Sequence, residues 1–245
     1  MGRARTCVSC VETLKKPRPL ARRRPRLTPE HCYSPSVWPG FRIYTRPEGK
    51  GGGHGVGWSE FPPYSFKVPP GWEEFPVSIA DPAGTELDLK FASKDKKTGG
   101  EASVLIEPVL RFMDVGFNAS VKVTDVGDPM KLVTGFGPEL IGGPIEEFQL
   151  AKMDIDTLPN GLPVYRYEIL PAFKGDPHCF VSITAARNRV YILNAKTPEP
   201  LLQYREKNLR AMMNSFTPVI AAELEAELKA ELKAGNTADI EVASA

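Results

Sequence analysis

Cys7 and Cys10 stand in a C-x-x-C spacing, and His31 is followed directly by Cys32. Four such donors could complete a tetrahedral zinc site. They lie in a segment without apolar periodicity, which offers the metal neither a small core nor a second shell. The spacing is therefore read as incidental. His178-Cys179 is the other pairing of reactive types. A Cys–His couple needs both side chains on one side of the chain. Neighbours on a strand point to opposite faces, so no dyad is expected. Cys179 is read as a small buried hydrophobe.

His31, His54 and His178 are dispersed, and no Ser–His–Asp order with local context is found. Gly51-Gly52-Gly53-His54-Gly55 lacks the strand–loop–helix frame of a phosphate loop. Asp114, Asp125 and Asp128 share one connection and present the oxygens calcium takes. They lack EF-hand spacing, and a solvated loop is expected. The sequence identifies no catalytic residue and assigns no metal ligand.

The elements that would position these residues follow from periodicity. Tyr64, Phe66 and Val68 alternate with Ser65 and Lys67, the period-2 mark of a half-buried strand. Pro69-Pro70-Gly71 stops it, and Trp72 follows and should be at least partly buried. A second strand is expected over residues 86–91, with Leu87, Leu89 and Phe91 on one face and Asp88 and Lys90 on the other. A third covers residues 102–107.

Asp128-Pro129 opens a helix, with Asp128 at the cap and Pro129 at the first position. Met130, Val133 and Phe136 form its apolar face, and Gly142-Gly143-Pro144 ends it. A strand near residues 147–153 precedes Asn160-Gly161, a hairpin signal. Tyr165, Tyr167 and Ile169 share one face of the next strand. Strands at 179–186 and 190–195 make a second hairpin around Arg187-Asn188-Arg189, with Asn188 expected in the left-handed conformation. Leu202, Leu209, Met213 and Phe216 recur on one face of a final helix over 199–215. The order predicts an α+β fold with a central antiparallel sheet of about six strands flanked by helices.

The chain has 245 residues and a net charge of +1. That value conceals a net of +9 over residues 1–50 and −8 over the remainder. The acidic body argues against nucleic-acid binding, and no apolar run is long enough to span a membrane. Residues 1–56 read as a disordered, Arg- and Pro-rich leader with the composition of a transit segment. Residues 57–219 form the domain. Residues 220–245 hold an Ala-Glu-Leu-Glu/Lys repeat, read as a solvated helix, and a disordered tail.

The segments YSFKVPPGW, GTELDLKFAS, SVLIEPVLRF, VGDPMKLVTGFGPELIG, VYRYEI, NRVYILNAKTPE and LRAMMNSF occur in that order between Trp58 and Pro218. Together they resemble the PsbP family, and its lumenal PsbP-domain branch more than PsbP itself. Leu202, with Tyr204 nearby, stands where the family often has Trp near the start of the last helix. Asn188 lies in a turn where glycine is common.

The resemblance implies a PsbP/Mog1-like α/β/α sandwich. It also implies a non-enzymatic extrinsic protein of the chloroplast thylakoid lumen. Such a protein would support the oxygen-evolving complex of photosystem II or photosystem assembly. Photosystem subunits or assembly intermediates would be its partners, with no nucleic acid and no transmembrane insertion. Calcium is the one cofactor the resemblance brings forward, with no ligand carried over by motif. Arg205 to Arg210 of the last helix is the expected contact surface, with the Lys94–Lys97 loop as the alternative. Two other classes stay open: an enzyme with an unrecognised pocket, and a Mog1-like protein-binding module outside photosynthesis.

Overall fold

The computed structural model describes residues 40–47, 49–50, 62–81, 83–94, 99–116, 119–222 and 226. Seven strands form the main sheet: β3 (Trp72–Phe75), β4 (Leu87–Ser93), β5 (Glu101–Pro108), β6 (Leu150–Thr157), β7 (Pro163–Ile169), β8 (Pro177–Ala186) and β9 (Arg189–Pro198). The spatial order is β3-β4-β5-β9-β8-β7-β6, with every neighbour antiparallel. Two meanders, β3–β5 and β6–β9, meet where β9 pairs with β5. The expected α+β architecture is observed, with seven strands in this sheet rather than six.

Both faces of the sheet are covered. On one lie the helix α4 (Leu202–Ser215) and a small sheet in which β2 (Tyr64–Val68) sits between β1 (Arg42–Thr45) and β10 (Thr217–Pro218). Tyr64, Phe66, Trp72, Phe91, Tyr191, Leu209, Met212 and Phe216 pack together there. On the other lie α1 (Val123–Val126), α2 (Pro129–Gly135) and α3 (Gly137–Ile141), over Tyr165, Tyr167, Val181, Ile183 and Ile192. Covering both faces explains why β8 and β9 read as nearly unbroken apolar runs. Side chains on both sides of these central strands meet a core.

The alternation over Tyr64–Val68 matches β2, with Tyr64, Phe66 and Val68 buried and Lys67 exposed. Asp128 caps α2: its Oδ1 accepts hydrogen bonds from the backbone N–H of Met130 (3.0 Å) and Lys131 (3.3 Å). The single helix expected there is two, because Gly137 starts a new one. A Cβ on Gly137 would lie 2.5 Å from the Gly143 carbonyl oxygen, so this close approach needs glycine.

Other expectations are corrected too. Residues 42–45 are not part of a disordered leader. They form β1, and Tyr44 packs edge-on against Phe91 at 5.2 Å. Asp88 does not share a solvent face with Lys90. The β4–β5 register shifts between Leu87 and Leu89, and the extra residue turns its carboxylate inward. Trp72 is buried as expected, and it opens β3, a strand the periodicity did not mark. Residues 147–149 form a 3₁₀ turn, so that strand starts at Leu150. In the β8–β9 turn Arg187, not Asn188, takes the positive φ, at 55°. The two-residue loop places its left-handed conformation at the first position, as in a type II′ turn.

Candidate functional site

The groove between α4 and the outer strands β6 and β7 holds about 380 Å³. Lys152, Asp154 and Asp156 of β6, Arg166 and Glu168 of β7, and Arg210 and Asn214 of α4 line it. Strand alternation explains the arrangement. Tyr165, Tyr167 and Ile169 turn into the core under α1–α3, so Arg166 and Glu168 between them must face α4.

Glu168 is the centre of the charge network. Its Oε2 accepts a hydrogen bond from Arg210 Nη2 at 2.7 Å, and its Oε1 lies 2.9 Å from His178 Nε2. The other ring nitrogen of His178 lies 2.9 Å from Glu199 Oε2. Carboxylates only accept, so both contacts are hydrogen bonds when both ring nitrogens carry a proton. Arg210 also donates to Glu206 at 2.8 Å and lies over the Phe180 ring at 4.6 Å. The His178 ring stacks on the same Phe180, with ring centroids 5.1 Å apart. Burial opposes charge on Glu168. The hydrogen bonds from Arg210 and His178 outweigh it and hold the carboxyl below the ordinary glutamate range. Asp156 is held low by the Thr157 backbone N–H, with help from Arg166.

A second cluster sits beyond the opposite face of β5. Glu107 is 2% exposed, and Arg111 bridges it (2.8 Å) to Glu139 of α3 (3.0 Å). Burial pushes the Glu107 carboxyl up to about 7. Arg111 pulls against this, while Glu86 and Glu139 add to it.

The expected residues fall as follows. Cys7, Cys10, His31, Cys32, His54 and Gly51–Gly55 lie outside the described residues, as does most of the 222–233 repeat. Cys179 is fully buried in the core beneath α1–α3, and burial pushes its thiol up to about 12. His178 faces the α4 side instead, so the two do not meet. Asp125 Oδ2 accepts the Lys122 backbone N–H at 2.9 Å, and Asp128 caps α2. Among the described residues no group of three or more His, Cys, Asp or Glu could hold a metal. Asp125 and Asp128 thus each spend a carboxylate oxygen on the backbone at a helix start. On α4, Arg210 is tied into the network and Lys207 is exposed, as is Tyr204 at 66%. Lys94 pairs with Glu73, and residues 95–97 lie outside the described set. No described helix is long and apolar enough to cross a membrane.

The sequence reading missed this network. Its members come from β7, β8, the 3₁₀ turn at Glu199–Leu201 and α4, and no local spacing joins Glu168 to Arg210. The available signal was the polar alternate positions of β7.

A family model described as PsbP matches residues 59–218. The chain belongs to the PsbP family. Two relatives in Arabidopsis thaliana agree. "PsbP domain-containing protein 4, chloroplastic" is 41% identical over 177 residues, covering 72% of this chain and 64% of the relative. "PsbP domain-containing protein 6, chloroplastic" is 23% identical over 163 residues, covering 63% of this chain and 60% of the relative. The match thus spans less than two thirds of either relative's length. The solution structure of cyanobacterial PsbP from Synechocystis sp. PCC 6803 aligns with a TM-score of 0.46 at 18% identity, covering 72% of this chain and 92% of that one. The PsbP-family match begins at residue 59, so it leaves out β1 and Arg46.

Proposed function

We propose that this PsbP-family protein is a non-enzymatic extrinsic protein of the chloroplast thylakoid lumen. It docks on photosystem subunits or assembly intermediates through the charged α4–β7 face. The observation that carries the reading is the family match over residues 59–218, together with relatives named as chloroplastic. The geometry supports a binding role. Cys179 is buried with its thiol held protonated, and both nitrogens of His178 face carboxylates. The groove presents paired charges, and α4 carries two exposed side chains outside its lining, Tyr204 and Lys207. Such a rim makes contacts that set orientation and specificity and are weakened by salt.

Protease protection in sealed thylakoids tests the location. The protein should survive external protease and be degraded once the vesicles are opened. Degradation in sealed vesicles would place it on the stromal side and end the lumenal reading.

A further inference from the structure

β6 is the last strand of the main sheet and pairs only with β7. Its outer edge therefore presents backbone N–H and C=O groups from alternate residues that no strand pairs; the Thr157 N–H is taken by Asp156 Oδ1. Ala151, Lys152 and Asp156 are exposed, and two apolar side chains stand open, Met153 at 44% and Ile155 at 65%. Native edge strands are usually short, bulged, covered or blocked by charge. This one carries a bulge only near its start, between Leu150 and Lys152. Beyond it the strand runs regularly against β7 to Thr157.

The charges on this edge have a pattern of their own. Lys152 and Asp154 lie on the α4 side, two residues apart, and currently pair with each other. Asp156 is engaged by Arg166. Reading β6 backwards about Met153 exchanges Lys152 with Asp154 and Ala151 with Ile155. The strand is thus charge-complementary to its own antiparallel copy. Directly opposed residues in an antiparallel pair point to the same face, where opposite charges attract and like charges repel. The register centred on Asp154 would oppose Asp154 to itself, so the pattern selects Met153.

We propose that a second copy of this chain pairs antiparallel with the outer edge of β6, with the twofold axis at Met153. Two Lys152–Asp154 contacts cross between the copies on the α4 face. Met153 packs on its equivalent on the opposite face, with Ile155 beside it. The seven strands of each copy become one continuous sheet, with both α4 helices on one side. The contact is small, so the dimer is a weak and reversible one. Lys152 and Asp154 also line the groove of the proposed docking face, and the experiment below reads self-association alone.

Sedimentation velocity of the full chain between about 1 and 200 µM, the range suited to a small interface, tests it. The wild type should shift from monomer to dimer as concentration rises. Asp154→Lys opposes lysine to lysine twice across the axis and should weaken dimerisation by about tenfold or more. Adding Lys152→Asp to that variant restores opposite charges in the same register and should restore the dimer. Both positions are solvent-facing, so folding is unaffected, and circular dichroism checks this. A chain that stays monomeric at the highest concentration overturns the proposal. So does a dimer that tolerates Asp154→Lys unchanged, or a double variant that fails to recover.

Discussion

Asp88 makes no contact with solvent, and Arg46 grips it with two nitrogens, Nε at 2.9 Å and Nη2 at 2.8 Å. The Tyr64 hydroxyl donates a third hydrogen bond to the same carboxylate at 2.5 Å. Arg46 follows directly on β1, so this ion pair anchors β1 to the main sheet across the core. Its Nη2 also donates to the Lys50 carbonyl. The domain thus starts well before the point at which the family match begins.

Removing the arginine should leave a buried carboxylate without its countercharge. Arg46→Ala should cost about 3–5 kcal/mol. Combining Arg46→Met with Asp88→Asn should recover part of the loss. Chains beginning at Gly40 and at Gly57 make the same test by truncation. The first should melt like the full chain, and the second should melt clearly lower. Equal melting temperatures for the two would mean that β1 adds nothing to the fold.

Trp72 is 2% exposed, and Gly100 lies beneath it, where a Cβ would come within 3.1 Å of the indole. Trp72→Ala empties a large site bounded by β4 and β5. The expected loss is about 3–5 kcal/mol. A chemical denaturation curve with an unchanged midpoint would contradict the packing.

The Glu107 carboxyl titrates near 7 in the fold, against 4.5 for an ordinary glutamate. A raised carboxyl means that the folded state binds the proton more tightly than the unfolded chain. Its contribution is complete below the ordinary value and is lost as pH rises through 7. Arg111, Glu139 and Glu86 surround it, so the loss above neutrality is tempered by Arg111. Melting temperature should therefore fall between about pH 5 and pH 8, and Glu107→Gln should flatten that slope. A variant with the same slope as the wild type would assign the titration to another group.

Much of this architecture was legible in local pattern. Alternation marked β2, the Asp128-Pro129 pair marked the start of α2, and Asn160-Gly161 marked the β6–β7 hairpin. What escaped notice depends on non-local geometry. A bulge leaves no trace in a period-2 reading, which puts Asp88 with Lys90 on the face opposite Leu89 and Phe91. Tyr44 and Arg46 were hidden by the Arg- and Pro-rich composition of the residues before them. The Glu168–His178–Arg210 network joins residues up to 42 positions apart, and only the pairing of β7 with β8 under α4 brings them together. The two-residue turn takes its left-handed conformation from strand twist at Arg187, although Asn188 has the better intrinsic preference for it.

The proposed attachment to a membrane complex runs through the charged α4 face. The most direct measurement is rebinding of the purified protein to thylakoids stripped of extrinsic proteins, followed over a salt series without detergent. Contacts at a solvated charged rim are screened as the Debye length shrinks to about 3 Å at 1 M salt. The wild type should bind saturably at low salt and leave the membrane before that limit. A variant carrying Tyr204→Ala and Lys207→Glu should bind several-fold more weakly, with its melting temperature unchanged. Binding that persists in molar salt, or a variant that binds as well as the wild type, would contradict the account.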